Sequence, residues 1–88
     1  MSTPTLKLTE THRGFALANF TDLYGAECSI QKSSLAELDA IWLGVDRDQN
    51  GKECSRMHLT QGMALALLPL LRRFVRTGEL YDVNEASK

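Results

Sequence analysis

The sequence predicts an α+β domain: an antiparallel β-meander of three to four strands with one C-terminal helix packed on one sheet face. Three observations predict it. Short segments of alternating apolar and polar residues, separated by turn residues, fill the first two thirds of the chain. Leu59 to Gly78 is the one long run with helical period, and it holds the densest apolar content. The chain has 88 residues, which make one domain. A chain of that size buries roughly 60–65% of its unfolded surface, enough for one modest core and no second. Strands and helix must therefore share that core. The expected domain spans the whole chain, with an ordered part over 5–80 and a flexible tail over 81–88.

In the helix, Ala64, Leu67, Leu68, Leu71, Phe74 and Val75 recur at i, i+3, i+4 and i+7, and Met63 and Leu70 lie on the edge of that stripe. Gly62, Leu65, Ala66, Pro69, Arg72, Arg73, Arg76 and Thr77 fall on the other side. Thr60 is placed to cap the first turn, because its hydroxyl can accept a free backbone N–H. Gly78 stands where a left-handed residue ends a helix. Pro69 removes one helical bond and crowds the carbonyl of Leu65, which predicts a kink or a break. With the stripe buried, Leu71→Ala is expected to cost about 2–5 kcal/mol and Leu65→Ala far less.

The strands follow from alternation and punctuation. Thr5 to Thr9 reads as a short edge strand, and residues 1–4 as loose. Gly14 to Thr21 carries Phe15, Leu17 and Phe20 and reads as a strand. Asp22-Leu23-Tyr24-Gly25 is a turn, since Asp bonds its own backbone and Gly supplies positive φ. In the next strand, Ala26, Cys28 and Ile30 share one face. Ser34 and Glu37 have capping-box spacing, which favours a helical turn from Leu35 to Leu38. Ala40 to Val45 is the strongest strand. Asn50-Gly51 then signals a type I′ hairpin, and Glu53 to His58 returns as a strand.

Composition narrows the function classes. The apolar fraction of 43% and charged fraction of 24% are those of an ordinary globular chain. A formal net charge of −1 argues against a dedicated nucleic-acid or membrane-surface binder, although local patches stay open. No apolar run approaches the roughly 20 residues needed to span a bilayer. The first residues lack the charged and apolar regions of a signal peptide, so an intracellular, soluble protein is expected. Cys28 and Cys54 have no C-x-x-C spacing and fit a reducing compartment.

Asp46-x-Asp48-x-Asn50-Gly51 matches the start of a calcium loop, but position 12, which needs a bidentate Glu, is Met57. Cys54 and His58 are four apart in a strand and so about 13 Å apart along it, too far for one ion. No metal or cofactor is predicted. No nucleophile–base pair can be named from the order of residues, and no glycine-rich phosphate loop is present. The open sheet face is more informative. If Met57 and Leu59 point to the core, Arg56 and His58 point away and share that face with Trp42, Ser29 and Gln31. Trp and Arg dominate binding hot spots. With the parity reversed, Trp42 is core instead. Arg72, Arg73 and Arg76 form a second candidate, an anion patch, against the plainer reading that cations complement a helix C-terminus. The candidate binding residues are therefore Gln31, Trp42, Arg56, His58, Arg72, Arg73 and Arg76.

The wording of Phe20 to Ala36, of Ile41-Trp42-Leu43-Gly44-Val45-Asp46 and of Arg56-Met57-His58-Leu59-Thr60 resembles a group of small uncharacterised proteins encoded by bacteriophages and prophages. The resemblance covers most of residues 14–80. It implies a phage accessory protein in the cytoplasm of a bacterial host, acting without catalysis by binding a host or phage protein. Inhibition of a defence system such as CRISPR is the expected role by analogy. Two alternatives stand beside it: a nucleic-acid-binding regulator, and a protein that sequesters a small ligand or nucleotide between subunits. A homodimer is compatible with each; a membrane partner is not expected.

Overall fold

The computed structural model describes residues 5–81. Five strands, β1 (Thr9–Glu10), β2 (Ala16–Thr21), β3 (Glu27–Lys32), β4 (Ala40–Arg47) and β5 (Met57–Thr60), precede one helix, α1 (Gln61–Thr77). The strands form one antiparallel open sheet in chain order. The α+β class therefore stands, with one more strand than the meander expected from sequence. The first strand is displaced: Thr5 to Leu8 lie outside the sheet, and pairing starts at Thr9 opposite Leu17. Most of the expected 81–88 tail, and residues 1–4, fall outside the described residues. Among the described residues no helix is long and apolar enough to cross a membrane.

One loop design closes three hairpin turns. In Thr11–Phe15, Asp22–Ala26 and Asp48–Lys52, the first residue's N–H donates to the fifth residue's carbonyl, at 2.8, 3.1 and 2.9 Å. The fourth residue is Gly14, Gly25 or Gly51, each with φ between 81° and 87°, a region an L side chain rarely enters. The first side chain caps the loop. Asp22 Oδ1 accepts from the N–H groups of Tyr24 and Ala26, and Asp48 Oδ1 from those of Asn50 and Lys52, all at 2.9 Å. Asn50-Gly51 is thus no type I′ turn. That turn needs positive φ at both residues, and no described residue other than glycine has it. The Asp48 carboxylate selects a three-residue loop instead.

Between β3 and β4 the expected helical turn from Leu35 to Leu38 does not form. Ser33, not Ser34, bonds the backbone: its Oγ accepts from Leu35 N–H at 3.3 Å, and its own N–H donates to the Ala40 carbonyl at 2.9 Å. Those bonds keep the segment as an irregular connection, which a Lys32–Asp39 ion pair at 3.1 Å also spans.

Register divides the sheet into two faces. Phe20 opposes Cys28, Ile30 opposes Leu43, and Ile41 opposes Leu59, so these residues with Val45 and Met57 form an apolar face. Asn19, Ser29, Gln31, Trp42, Gly44 and His58 form a polar face. The fully buried apolar residues are small or few: Ala18, Ala26, Cys28, Ala40 and Leu59. Burial, with help from the charges of Asp22 and Asp46, pushes the Cys28 thiol above its ordinary pKa.

The helix obeys its end signals but not its expected packing. Thr60 Oγ1 accepts from Met63 N–H at 3.2 Å, and Gly78 closes the far end in the left-handed region, its N–H donating to Phe74 carbonyl at 2.8 Å. The helix runs unbroken through Pro69. It meets the sheet chiefly at β5, and none of its residues is buried. Thr60 is both the last residue of β5 and the cap of α1. A helix that reverses onto its own sheet takes a connection of about 2–6 residues. Here there is none, so the apolar stripe does not lie back over the apolar face.

Candidate functional site

The polar face is assembled around β4, which lies between β3 and β5. Alternation along β4 sends Trp42, Gly44 and Asp46 to this face. Register then sets Gln31 beside Trp42 on one flank and His58 on the other. The Trp42 and His58 rings stack with centroids 3.9 Å apart and planes 6° from parallel. His58 Nε2 lies 2.9 Å from Ser33 Oγ, so the imidazole is held from two sides.

Arg56 enters just before β5. A Cβ at Gly44 would lie 3.4 Å from the Arg56 Cα, and the glycine lets the two backbones approach this closely. The Arg56 side chain is then tied on three sides. Its Nη1 donates to Ser29 Oγ at 3.2 Å and to Gln31 Oε1 at 3.0 Å, and its Nε lies 3.3 Å from Asp46 Oδ1. The guanidinium carbon is 5.5 Å from the Trp42 ring centroid, within reach of a cation–π attraction. Ser29 Oγ donates to Asp46 Oδ1 at 3.0 Å and so closes the network. A path of contacts runs Asp46, Arg56, Trp42, His58, Ser33, with Ser29 and Gln31 accepting from Arg56 at its side.

The structure thus brings together four residues singled out from sequence: Gln31, Trp42, Arg56 and His58. Trp42 is on the polar face and partly buried, and His58 is exposed. Arg72, Arg73 and Arg76 do not join them. They lie near the end of α1, and among the described residues none of the three forms an ion pair. Two members of the site were missed. The calcium-like motif draws attention from the even spacing of Asp46 with Trp42 and Gly44, which places it on this face against Ser29 and Arg56. Ser33 Oγ accepts from Leu35 N–H and also meets His58, a contact from a distant strand that no local pattern encodes.

The polar groups of the face are bonded chiefly to one another. Ser33 and His58 have the spacing of a nucleophile and a base, but Ser33 is only 3% exposed and its oxygen already accepts from Leu35 N–H. That hydroxyl is buried between the Leu35 N–H and the imidazole. Asp46 is engaged by Arg56 and Ser29, and Asp48 by its own loop, so the two first carboxylates of the calcium-like motif are aimed at different partners. Cys28 and His58 point to opposite faces of the sheet, which denies them a common ion. No family model, curated protein or solved structure matches this chain.

Proposed function

We propose that this chain is a phage-encoded binding protein that acts without catalysis on a protein in the cytoplasm of a bacterial host, with components of defence systems such as CRISPR as the target class. The phage origin and the target class rest on the resemblance carried by residues 20–36, 41–46 and 56–60. The binding role rests on one observation: the stacked Trp42–His58 pair, with Arg56 braced beside it, at the surface of an open sheet. Trp and Arg carry much of the energy of protein interfaces. Side chains already held in one rotamer lose less entropy when a partner covers them. Capture from host lysate tests this. Folded wild type should retain one partner, His58→Ala and Trp42→Ala should lose it, and Arg76→Glu should keep it. Capture of nothing, or capture indifferent to Trp42→Ala in a protein that still melts cooperatively, would reject the reading.

Nucleic-acid binding is the second reading. It is favoured by Arg72, Arg73 and Arg76, which are without ion pairs among the described residues. A net charge of −1 weighs against it. Unchanged DNA mobility at low salt with micromolar protein is the expected result.

A further inference from the structure

The apolar face of the sheet and the apolar stripe of α1 are both uncovered in one chain. Phe20, Ile30, Ile41, Leu43 and Val45 are only partly buried, and Met57 on the same face is 53% exposed. On the helix, Leu71 is 53%, Phe74 55% and Val75 85% exposed. The missing connection between β5 and α1 keeps the one from covering the other within a chain. We propose that the occupant is a second copy of the chain, in a two-fold dimer in which each α1 lies across the apolar sheet face of its partner.

Four observations support a second copy. The surfaces are complementary in kind, and each chain has one of each, which is what an isologous pair requires. The area is right. The chain presents 7356 Å² of accessible surface. A compact chain of this mass presents about 5,200 Å², so the excess is roughly 2,000 Å² per chain. Obligate homodimers bury about 2,000–5,000 Å² in total. The shape agrees: the radius of gyration is 15.4 Å, where a compact chain of this length has about 12 Å. A cleft of about 360 Å³ lies in the angle between sheet and helix, lined by Ile41, Leu59 and Ala64 among others, and joins the two surfaces. In this dimer the polar faces look outward, giving two copies of the Trp42–His58 site.

Sedimentation equilibrium of the full chain at ten to a hundred micromolar tests the proposal. Twice the 9.8 kDa chain mass is expected. The melting temperature should rise with protein concentration, because association stabilises only the folded dimer. Val75→Glu changes a residue that a lone chain leaves in water, yet here it should lower the dimer affinity at least a hundredfold. Phe20→Glu, on the sheet, should do the same. A wild-type chain that sediments at single mass with a concentration-independent melt overturns the proposal. So does a dimer that Val75→Glu weakens and a folded Phe20→Glu does not, since that outcome means helix pairs with helix.

Discussion

The polar face of the sheet and helix α1 solve opposite problems. On the polar face each charged or polar side chain along the central path meets its partner within the chain: Arg56 with Asp46, Ser29 and Gln31, and His58 with Ser33. On α1 the backbone is satisfied at both ends while its apolar side chains meet little. Local physics explains both. Capping and period make a helix without any need for a core. Burial needs a second layer, and within one chain the sheet meets α1 chiefly at β5. The first surface is internally bonded; the second leaves its apolar side chains in water.

Leu71→Ala breaks this contrast most sharply. A leucine 53% exposed in a lone chain loses little on truncation. Under a partner's sheet it becomes a large-to-small core change, worth about 2–5 kcal/mol. Urea unfolding at two protein concentrations measures it. The larger value is expected, together with a midpoint that moves with concentration.

Arg56→Ala attacks the finished face. It strips Asp46 of its cation and Ser29 and Gln31 of a donor, in a setting where Arg56 and Asp46 are 25% and 35% exposed. Removing one partner of a fully buried pair costs about 3–5 kcal/mol, and partial exposure reduces this to about 1.5–3 kcal/mol. Arg56→Lys should recover only part, because one ammonium cannot reproduce the forked donors that reach three acceptors. A melt equal to wild type for Arg56→Ala would mean that the network orients side chains without stabilising the sheet.

The two regions also differ in how far the sequence discloses them. The polar face was legible because strand period is two and short loops fix the register. Once Met57 and Leu59 were set inward, Trp42, Arg56 and His58 had to meet. The helix was legible in its stripe and its caps, but its packing was not. Packing depends on the distance between the last strand residue and the cap, and Thr60 is both. Placing the last strand at Glu53 to His58 left a gap that does not exist and so allowed a helix to fold back. Asn50-Gly51 misled for another reason: the residue that decides this turn is Asp48, through two bonds to backbone N–H groups. The same design at Asp22 was read correctly as a turn, because no Asn-Gly pair competed there.

Gly51→Val separates loop geometry from sheet packing. At φ 81° no atom crowds a new Cβ, so the cost is conformational alone. A β-branched residue held there is strained by about 1–3 kcal/mol. Gly51→Ala should fall at the low end of that range, and both should leave the Trp42–His58 stack intact by fluorescence.

The smallest expected effect tests what Asp48 is for. Its Oδ1 accepts from Asn50 and Lys52 N–H groups at 2.9 Å, as a capping side chain does. Asp48→Ala removes both bonds at an exposed loop, where water can replace them, so about 1 kcal/mol is expected. Asp48→Asn keeps a carbonyl oxygen in the same place and loses only the charge. If capping is its role, Asn should lie within about 0.5 kcal/mol of wild type, and calcium should leave the melting temperature unchanged in all three proteins. If a cation used this loop, binding to the native state would raise stability with free calcium, and Asn would lose that rise as fully as Ala. The two accounts therefore differ in how Asn behaves: beside wild type when the oxygen matters, beside Ala when the charge does. With Asp46 already held by Arg56 and Ser29, the oxygen is the feature that the loop uses.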